Sequence, residues 1–363
     1  MFLPALLLLL TPLAVADTVE VTDAHYRVYT SDGTPASFDD IRAAVAAADV
    51  IFVGENHNDP VAHAVELWTY QAALSAPDGR PAAVSMEMFA RDVQYIVNEY
   101  LSGAITESHF TSSSSPWSNY ATDYRPFVEA AKEAGMHVIA ANAPRRYANL
   151  VTREGRGALQ RLSDRAFEYM APMPYGNASD RYRAQWDEIM GAAMGGGAAT
   201  HTAEPEEAEE HEHAEGEEHE HAMEGEDHAA MHAQHMAEAA EAAEVVEEPA
   251  PAPAPEHPGM PSMENMLQAQ VLWDATMAYS IAEHLLAYPN ARVVHMVGGF
   301  HVATGTGTPE HLLSYRPSTR TLVIAVEPVD DMDTFNPDDH AGLGDFVILS
   351  DASLPRSYDT RTR

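Results

Sequence analysis

The sequence contains no cysteine. Disulfides, thiolate metal sites, cysteine nucleophiles and a lipid-modified N-terminal cysteine are therefore excluded. Positive charge is scarce: 20 basic residues face 56 acidic ones, the formal charge is −36, and Lys132 is the only lysine. That balance speaks against nucleic acid or an anionic membrane surface as a partner, since both need a basic footprint. Beyond the first sixteen residues no segment is long and apolar enough to span a bilayer. Also missing are the G-x-S-x-G elbow, the P-loop, the H-E-x-x-H helix and the Rossmann glycine fingerprint. The usual signposts of serine hydrolases, nucleotide enzymes and zinc proteases are thus absent.

What is present begins with "MFLPALLLLLTPLAVA". An apolar core followed by Ala14-Val15-Ala16 has the form of an export signal with an A-x-A cleavage pattern, although no Lys or Arg precedes the core. Residues 1–16 are expected to be a signal peptide, placing the mature chain in the periplasm or cell envelope. Without a cysteine the chain is not expected to be a lipoprotein.

Residues 195–261 differ from the rest. They hold nine of the 19 histidines and 19 acidic residues, with no Lys or Arg, and end in "EEPAPAPAPEHP", a polyproline-type spacer. With almost nothing large and apolar to bury, this insertion is expected to be disordered. His211, His213, His219, His221 and His228, among nearby methionines, suit loose capture of Zn, Cu or Ni ions; a solvating linker is the ordinary alternative.

The flanks, 17–194 and 262–363, read as a single domain that the insertion interrupts. Strands are expected at Arg27–Tyr29, Val50–Val53, Ala83–Met86, His137–Ala140, Val293–Val297, Leu322–Val326 and Phe346–Leu349. Between them lie helical patterns. Asp59-Pro60 is a cap with a proline at the first helical position, and Val61, Val65, Trp68 and Ala72 recur at helical spacing. Phe89, Val93, Ile96 and Tyr100 do the same, with Gly103 closing. Leu267, Val271, Ala278, Ile281 and Leu285 mark a long helix after the insertion. Alternating strands and helices predict an α/β fold: a mostly parallel sheet flanked by helices on both faces.

Polar residues gather where strands end. "VIFVGENHND" runs from buried strand into Gly54, Glu55 and His57; "VVHMVGGFH" repeats the design with Gly298 and His301. The strand around Val84 ends at Glu87, and the strand around Ile139 at Asn142, Arg145 and Arg146. In open parallel sheets ligands bind just outside the carboxyl ends of strands. Singly, each residue reads as a cap or a surface group; together they predict a site. His57 and His301 with Glu55 and Glu87 are a ligand set for a borderline divalent metal, which would polarise a carbonyl or activate water. Gln270 and Asp274 share one face of the long helix, above either a polar site or solvent. His63, two residues from Val61, is expected to face outward.

In order along the chain, "VGENHNDPVAHA", "SMEMF", "AANAPRR", "AQVLWDATMA" and "VGGFH" resemble the ChaN family of haem-binding uptake proteins in the Tiki/TraB/erythromycin-esterase superfamily. The resemblance covers roughly residues 38 to 327 apart from the insertion, which is not part of the family pattern. It implies haem as the ligand, a role in haem or iron uptake at the envelope, an outer-membrane uptake system as partner and a homodimer on haem binding. The Tiki branch implies instead a metal-dependent hydrolase: paired G-x-x-H motifs map to Gly54, His57, Gly298 and His301, with Glu87 or Glu55 as catalytic carboxylate. For haem, Tyr120 and Tyr124 are candidate iron ligands, and Arg125 and Arg145 candidate propionate partners. A packed aromatic loop and surface salt bridges are the ordinary readings of the same residues. A third reading makes the insertion a periplasmic metal buffer and the domain its scaffold.

Overall fold

Each expected apolar run forms a strand in the computed structural model, which describes residues 19–194 and 261–358. The strands are β1 (Tyr26–Thr30), β2 (Pro35–Ala36), β3 (Val50–Glu55), β4 (Ala82–Ala90), β5 (Val138–Asn142), β6 (Arg292–Gly298), β7 (Thr321–Val329) and β8 (Phe346–Asp351). They make one sheet of order β2-β1-β8-β7-β3-β6-β4-β5. From β8 to β5 all pairings are parallel, and β1 closes the far side antiparallel to β8 and β2. Only the short β2 had no counterpart in the sequence pattern, because two residues carry no periodicity. The segment before residue 19 and the insertion, with His211, His213, His219, His221 and His228, lie outside the described residues.

Helices cover both faces. On one face Ile51 and Val53 of β3 and Val294 and Met296 of β6 pack with the helices Phe38–Ala47, Pro60–Leu74, Gln94–Leu101, Glu107–Ser114 and Arg125–Ala134. On the other, Val50, Phe52, Val293 and Val297 pack with Arg145–Glu154, Asp180–Met194, Met263–Ala287 and Thr308–Tyr315. Alternate strand residues thus feed two cores, as the period of two requires. The helical pattern placed at Phe89 begins later than expected. Phe89 belongs to β4, a 3₁₀ turn spans Arg91–Val93, and the helix starts at Gln94. The apolar spacing continued across a strand end that periodicity cannot mark.

The chain order creates a crevice. From β3 through β4 to β5 the connections run over the first face; from β5 through β6 to β7 they return over the second. Strands β3 and β6 are neighbours, yet their exits diverge to opposite faces. This is a topological switch point, the place at which the crevice of an open α/β sheet generally takes ligands.

The sheet's outer strand is protected locally. Gln94 donates from Nε2 to the Val138 carbonyl and accepts from the Ala140 N–H, standing in for a further strand along β5. Asp59 ties the start of the Pro60–Leu74 helix to β8. Its Oδ1 accepts from the Val61 N–H at 2.8 Å and its Oδ2 from the Ser350 hydroxyl at 2.6 Å, all in the interior. Asp59→Ala removes a cap and leaves a buried hydroxyl unpartnered, so it is expected to cost about 2 kcal/mol, read as a lower midpoint in urea unfolding.

Candidate functional site

The switch point carries two polar clusters, one on each side of the sheet. On the first side Glu55 closes β3 and is buried. Its Oε1 accepts from the Tyr124 hydroxyl and from His57 Nδ1, both at 2.7 Å. His63 Nε2 lies 2.9 Å from Oε2. Burial alone would raise the Glu55 pKa, but the His63 and His57 imidazoles reverse this and hold it below the usual carboxylate range. Beside it stands Glu66, wholly buried, with neither carboxylate oxygen hydrogen-bonded. Burial, then the charges of Glu55 and Asp123, push its pKa well above the ordinary value.

On the second side Glu87 accepts the Gly298 N–H at 2.8 Å through Oε2, and its Oε1 lies 3.8 Å from His301 Nε2. His301 Nδ1 donates to Asp274 Oδ1 at 2.9 Å. The same oxygen accepts from the Thr308 hydroxyl at 2.8 Å, and Tyr182 donates to Asp274 Oδ2. Burial opposes charge on His301, but Asp274 and Glu87 outweigh it and raise the pKa to about 9. Tyr182, buried against Asp274, is pushed well above the ordinary phenol.

The glycines of the two G-x-x-H motifs explain how the clusters meet. In the parallel register Gly54 pairs with Val297 and Glu55 with Gly298. A Cβ on Gly298 would stand 2.9 Å from His57 Nε2; one on Gly54 would stand 2.7 Å from Val302 Cγ2 and 3.0 Å from Gly299 Cα. Each motif's glycine makes room for the other motif. Outward from this contact the edge of Trp117 meets His57 at 4.8 Å between ring centroids, and the Arg145 guanidinium lies 5.6 Å over Trp117.

The other expected residues are placed as follows. Tyr124 reaches the first cluster as a donor, and burial followed by the charges of Glu55 and Glu66 pushes its pKa well up. Tyr120 packs with Phe89 and Phe110 in the core below. Arg125 is held at the surface by Glu107. Asn142 Oδ1 accepts from the Ala143 N–H at the end of β5. Gln270 and Asp274 are both fully buried, so their shared helix face covers the polar site rather than solvent. The four candidate metal ligands fall into two pairs, His57 with Glu55 and His301 near Glu87, on opposite sides of the sheet.

His63 corrects an expectation. It faces inward, not outward, because the Pro60–Leu74 helix is buried on almost every side and its second turn packs under Glu55 and Tyr124. Glu66, Thr308 and Tyr182 were not singled out by sequence. For His63 and Glu66 a signal existed: two ionisable residues three apart in a mostly apolar fifteen-residue helix share one face. Apart from the crevice, a cavity of about 590 Å³ runs along the outer edge of β5, with His137, His284 and Tyr288 in its lining. Burial, then the neighbouring His137, lowers the His284 pKa to about 4.

Comparison with known proteins fits this architecture. The family model for haem-binding uptake, Tiki superfamily, ChaN, matches residues 41–312, and the chain belongs to that family. Among solved structures, ChaN of Campylobacter jejuni, whose structure concerns cofacial haem binding, superposes with a TM-score of 0.56 at 14% identity, covering 90% of this chain and 98% of that one. At that identity the likeness shows the fold. The type III effector HopBA1 (TM-score 0.39, 9% identity, 86% and 92% coverage) and an erythromycin esterase mutant, EreC (0.38, 11%, 90% and 83%), match more loosely. No curated protein sequence matches the chain. Among the described residues no helix is long and apolar enough to cross a membrane.

Two predictions follow the geometry. Gly54→Ala meets the branched Val302 side chain and, behind it, the Gly299 backbone, and should lose about 1–3 kcal/mol in chemical denaturation, whereas Gly298→Ala meets an imidazole and should chiefly displace His57. For His301 the folded pKa lies above the unfolded value. Its stabilisation is therefore whole below pH 6.5 and lost as pH rises through about 9. Urea unfolding across that window should show stability falling with pH, and His301→Gln should flatten that part of the profile.

Proposed function

We propose that the chain is an exported haem-binding protein that takes haem at the carboxyl edge, over the mouth formed by His57, Trp117 and Arg145. The observation that carries this reading is the outward series of imidazole, indole and guanidinium. His57 is oriented by Glu55, a carboxylate–imidazole pairing that fixes which ring nitrogen can face a ligand. Trp117, half-buried, offers an aromatic face to a flat macrocycle. Arg145 beside it offers a fork suited to a propionate. Membership of the ChaN family supports haem as the ligand.

Tyr124 and Tyr120 suit iron less well. A phenol must ionise to bind ferric iron strongly, and burial with nearby carboxylates opposes that at Tyr124. Arg125 is engaged by Glu107 at the surface, whereas Arg145 lies over Trp117. The A-x-A pattern near residue 16 supports export, and uptake at the envelope through an outer-membrane system is the corresponding role. The insertion's histidines would collect metal or haem nearby.

The test is a haemin titration of the full chain followed at the Soret band. Wild type should show a saturable, one-site shift. His57→Ala should weaken binding tenfold or more and change the band position, and Arg145→Ala should weaken it several-fold. Tyr120→Phe and His284→Ala should leave it unchanged. A Soret response that survives the His57 and Arg145 substitutions but falls with His284→Ala would move haem to the β5 cavity. No saturable response in wild type would sink the haem reading.

A further inference from the structure

We propose that Glu55, His63 and Glu66 form a buried site for one divalent cation of the Mn(II)–Zn(II) class. Each residue offers a ligand atom, and these atoms lie within 4.8 Å of one another. All three side chains are in the interior, and both oxygens of Glu66 are there without a hydrogen bond. A buried carboxylate left that way is costly. Glu55 Oε2 and His63 Nε2 are 2.9 Å apart, yet neither has a partner in hydrogen-bond geometry. Metal–ligand bonds of about 2.0–2.2 Å place neighbouring donors at roughly that separation. The pair is spaced as adjacent ligands of one ion.

The surrounding contacts aim these atoms at a common point. Glu55 Oε1 is held by Tyr124 and His57, which leaves Oε2 facing His63 and Glu66. His63 Nδ1 faces Asp123 Oδ1 at 3.8 Å, and Asn119 donates to Asp123 Oδ2 at 2.8 Å. At that distance the Asp123 carboxylate is beyond hydrogen-bond reach, but its charge favours the proton on Nδ1 and so leaves Nε2 for a metal. His63 and Glu66 come from successive turns of one rigid helix, and Glu55 from the strand it packs on. With both glutamates ionised and the imidazole neutral, a divalent ion brings the ligand set to zero net charge, which the interior favours. Two carboxylates and one imidazole form a harder set than thiolates, suited to Mn(II), Fe(II) or Zn(II).

This site is separate from the haem mouth: it takes the other oxygen of Glu55 and neither Trp117 nor Arg145. The competing state has a proton on Glu66, shared with Glu55, and no ion. Mn(II) is the probe, because histidine tracts hold it weakly and binding within the insertion would not brace the fold. The full chain is equilibrated with Mn(II), passed through gel filtration in a weak chelator, and analysed for retained metal and for thermal unfolding. Wild type should keep one Mn(II) per chain and gain roughly 5 °C in Tm. Glu66→Gln and His63→Gln should retain at least tenfold less and gain nothing. Both variants, free of metal, should still give a saturable haemin shift, which shows that they fold and reads the haem hypothesis independently of the metal. Equal retention in wild type and Glu66→Gln with no Tm change would assign the ion to the insertion and overturn the proposal. No retention in wild type would leave the shared proton as the answer and overturn it equally.

Discussion

The parallel contact between β3 and β6 is what the rest of the site depends on. Two strands separated by most of the sequence, including the insertion, pair in register from Val50 with Val293 to Glu55 with Gly298. Their exits then turn to opposite faces. The strands lie too close for side chains at both turns, so Gly54 yields to the second motif and Gly298 to the first. This close approach lets His57 from one face and Glu87 from the other lie against the same residue. A larger side chain at either glycine would wedge the crevice or push an imidazole aside.

The two ends of the sheet handle charge differently. At the amino end, Arg292 is fully buried but reaches Asp78 and the carbonyls of Ala46 and Ala48, while Arg320 and Arg80 meet Asp49. Each of these cations faces a carboxylate, and Arg320 holds the Asp49 carboxyl well below the usual range. At the carboxyl end Glu55, Glu66, Glu87, Asp123 and Asp274 face mainly histidines. An excess of buried carboxylate over fixed cation is unstable unless protons or a ligand balance it. His301 meets part of that demand as an imidazolium. The chain's acidity thus reaches its interior, at the end where the topology opens a crevice.

Much of this is legible in the sequence. Fully buried parallel strands leave continuous apolar runs, so β3, β6 and β7 stood out, and the polar residues ending them marked the carboxyl edge. The pairing of the two G-x-x-H motifs was visible as a repeat. What sequence could not supply was the face on which each residue lands. His57 and His301 look alike in sequence, but their strands exit to different sides, so each has its own carboxylate, Glu55 or Asp274. His63 looked like a solvent residue because helical periodicity assumes one wet face, and the Pro60–Leu74 helix has almost none. Tyr182 and Thr308 converge on Asp274 from helices far apart in sequence, and local pattern cannot report such convergence. Arg145 and Arg125 are indistinguishable as cations in sequence; the fold sets one over Trp117 and the other against Glu107.

Glu55 joins the two halves of the functional reading. One of its oxygens receives His57 and Tyr124; the other faces His63 and Glu66. A carboxylate has one negative charge to distribute between them. A cation drawn to Oε2 would withdraw density from Oε1 and weaken its hydrogen bond to His57. A proton on Glu66 would do the same to a lesser degree, because a hydrogen bond withdraws less charge than a divalent ion. On that reading an occupant of the buried side would tune His57 across a single residue, without movement of the fold. Linkage makes the influence reciprocal: a ligand on His57 would alter the cation affinity of Oε2 by the same factor.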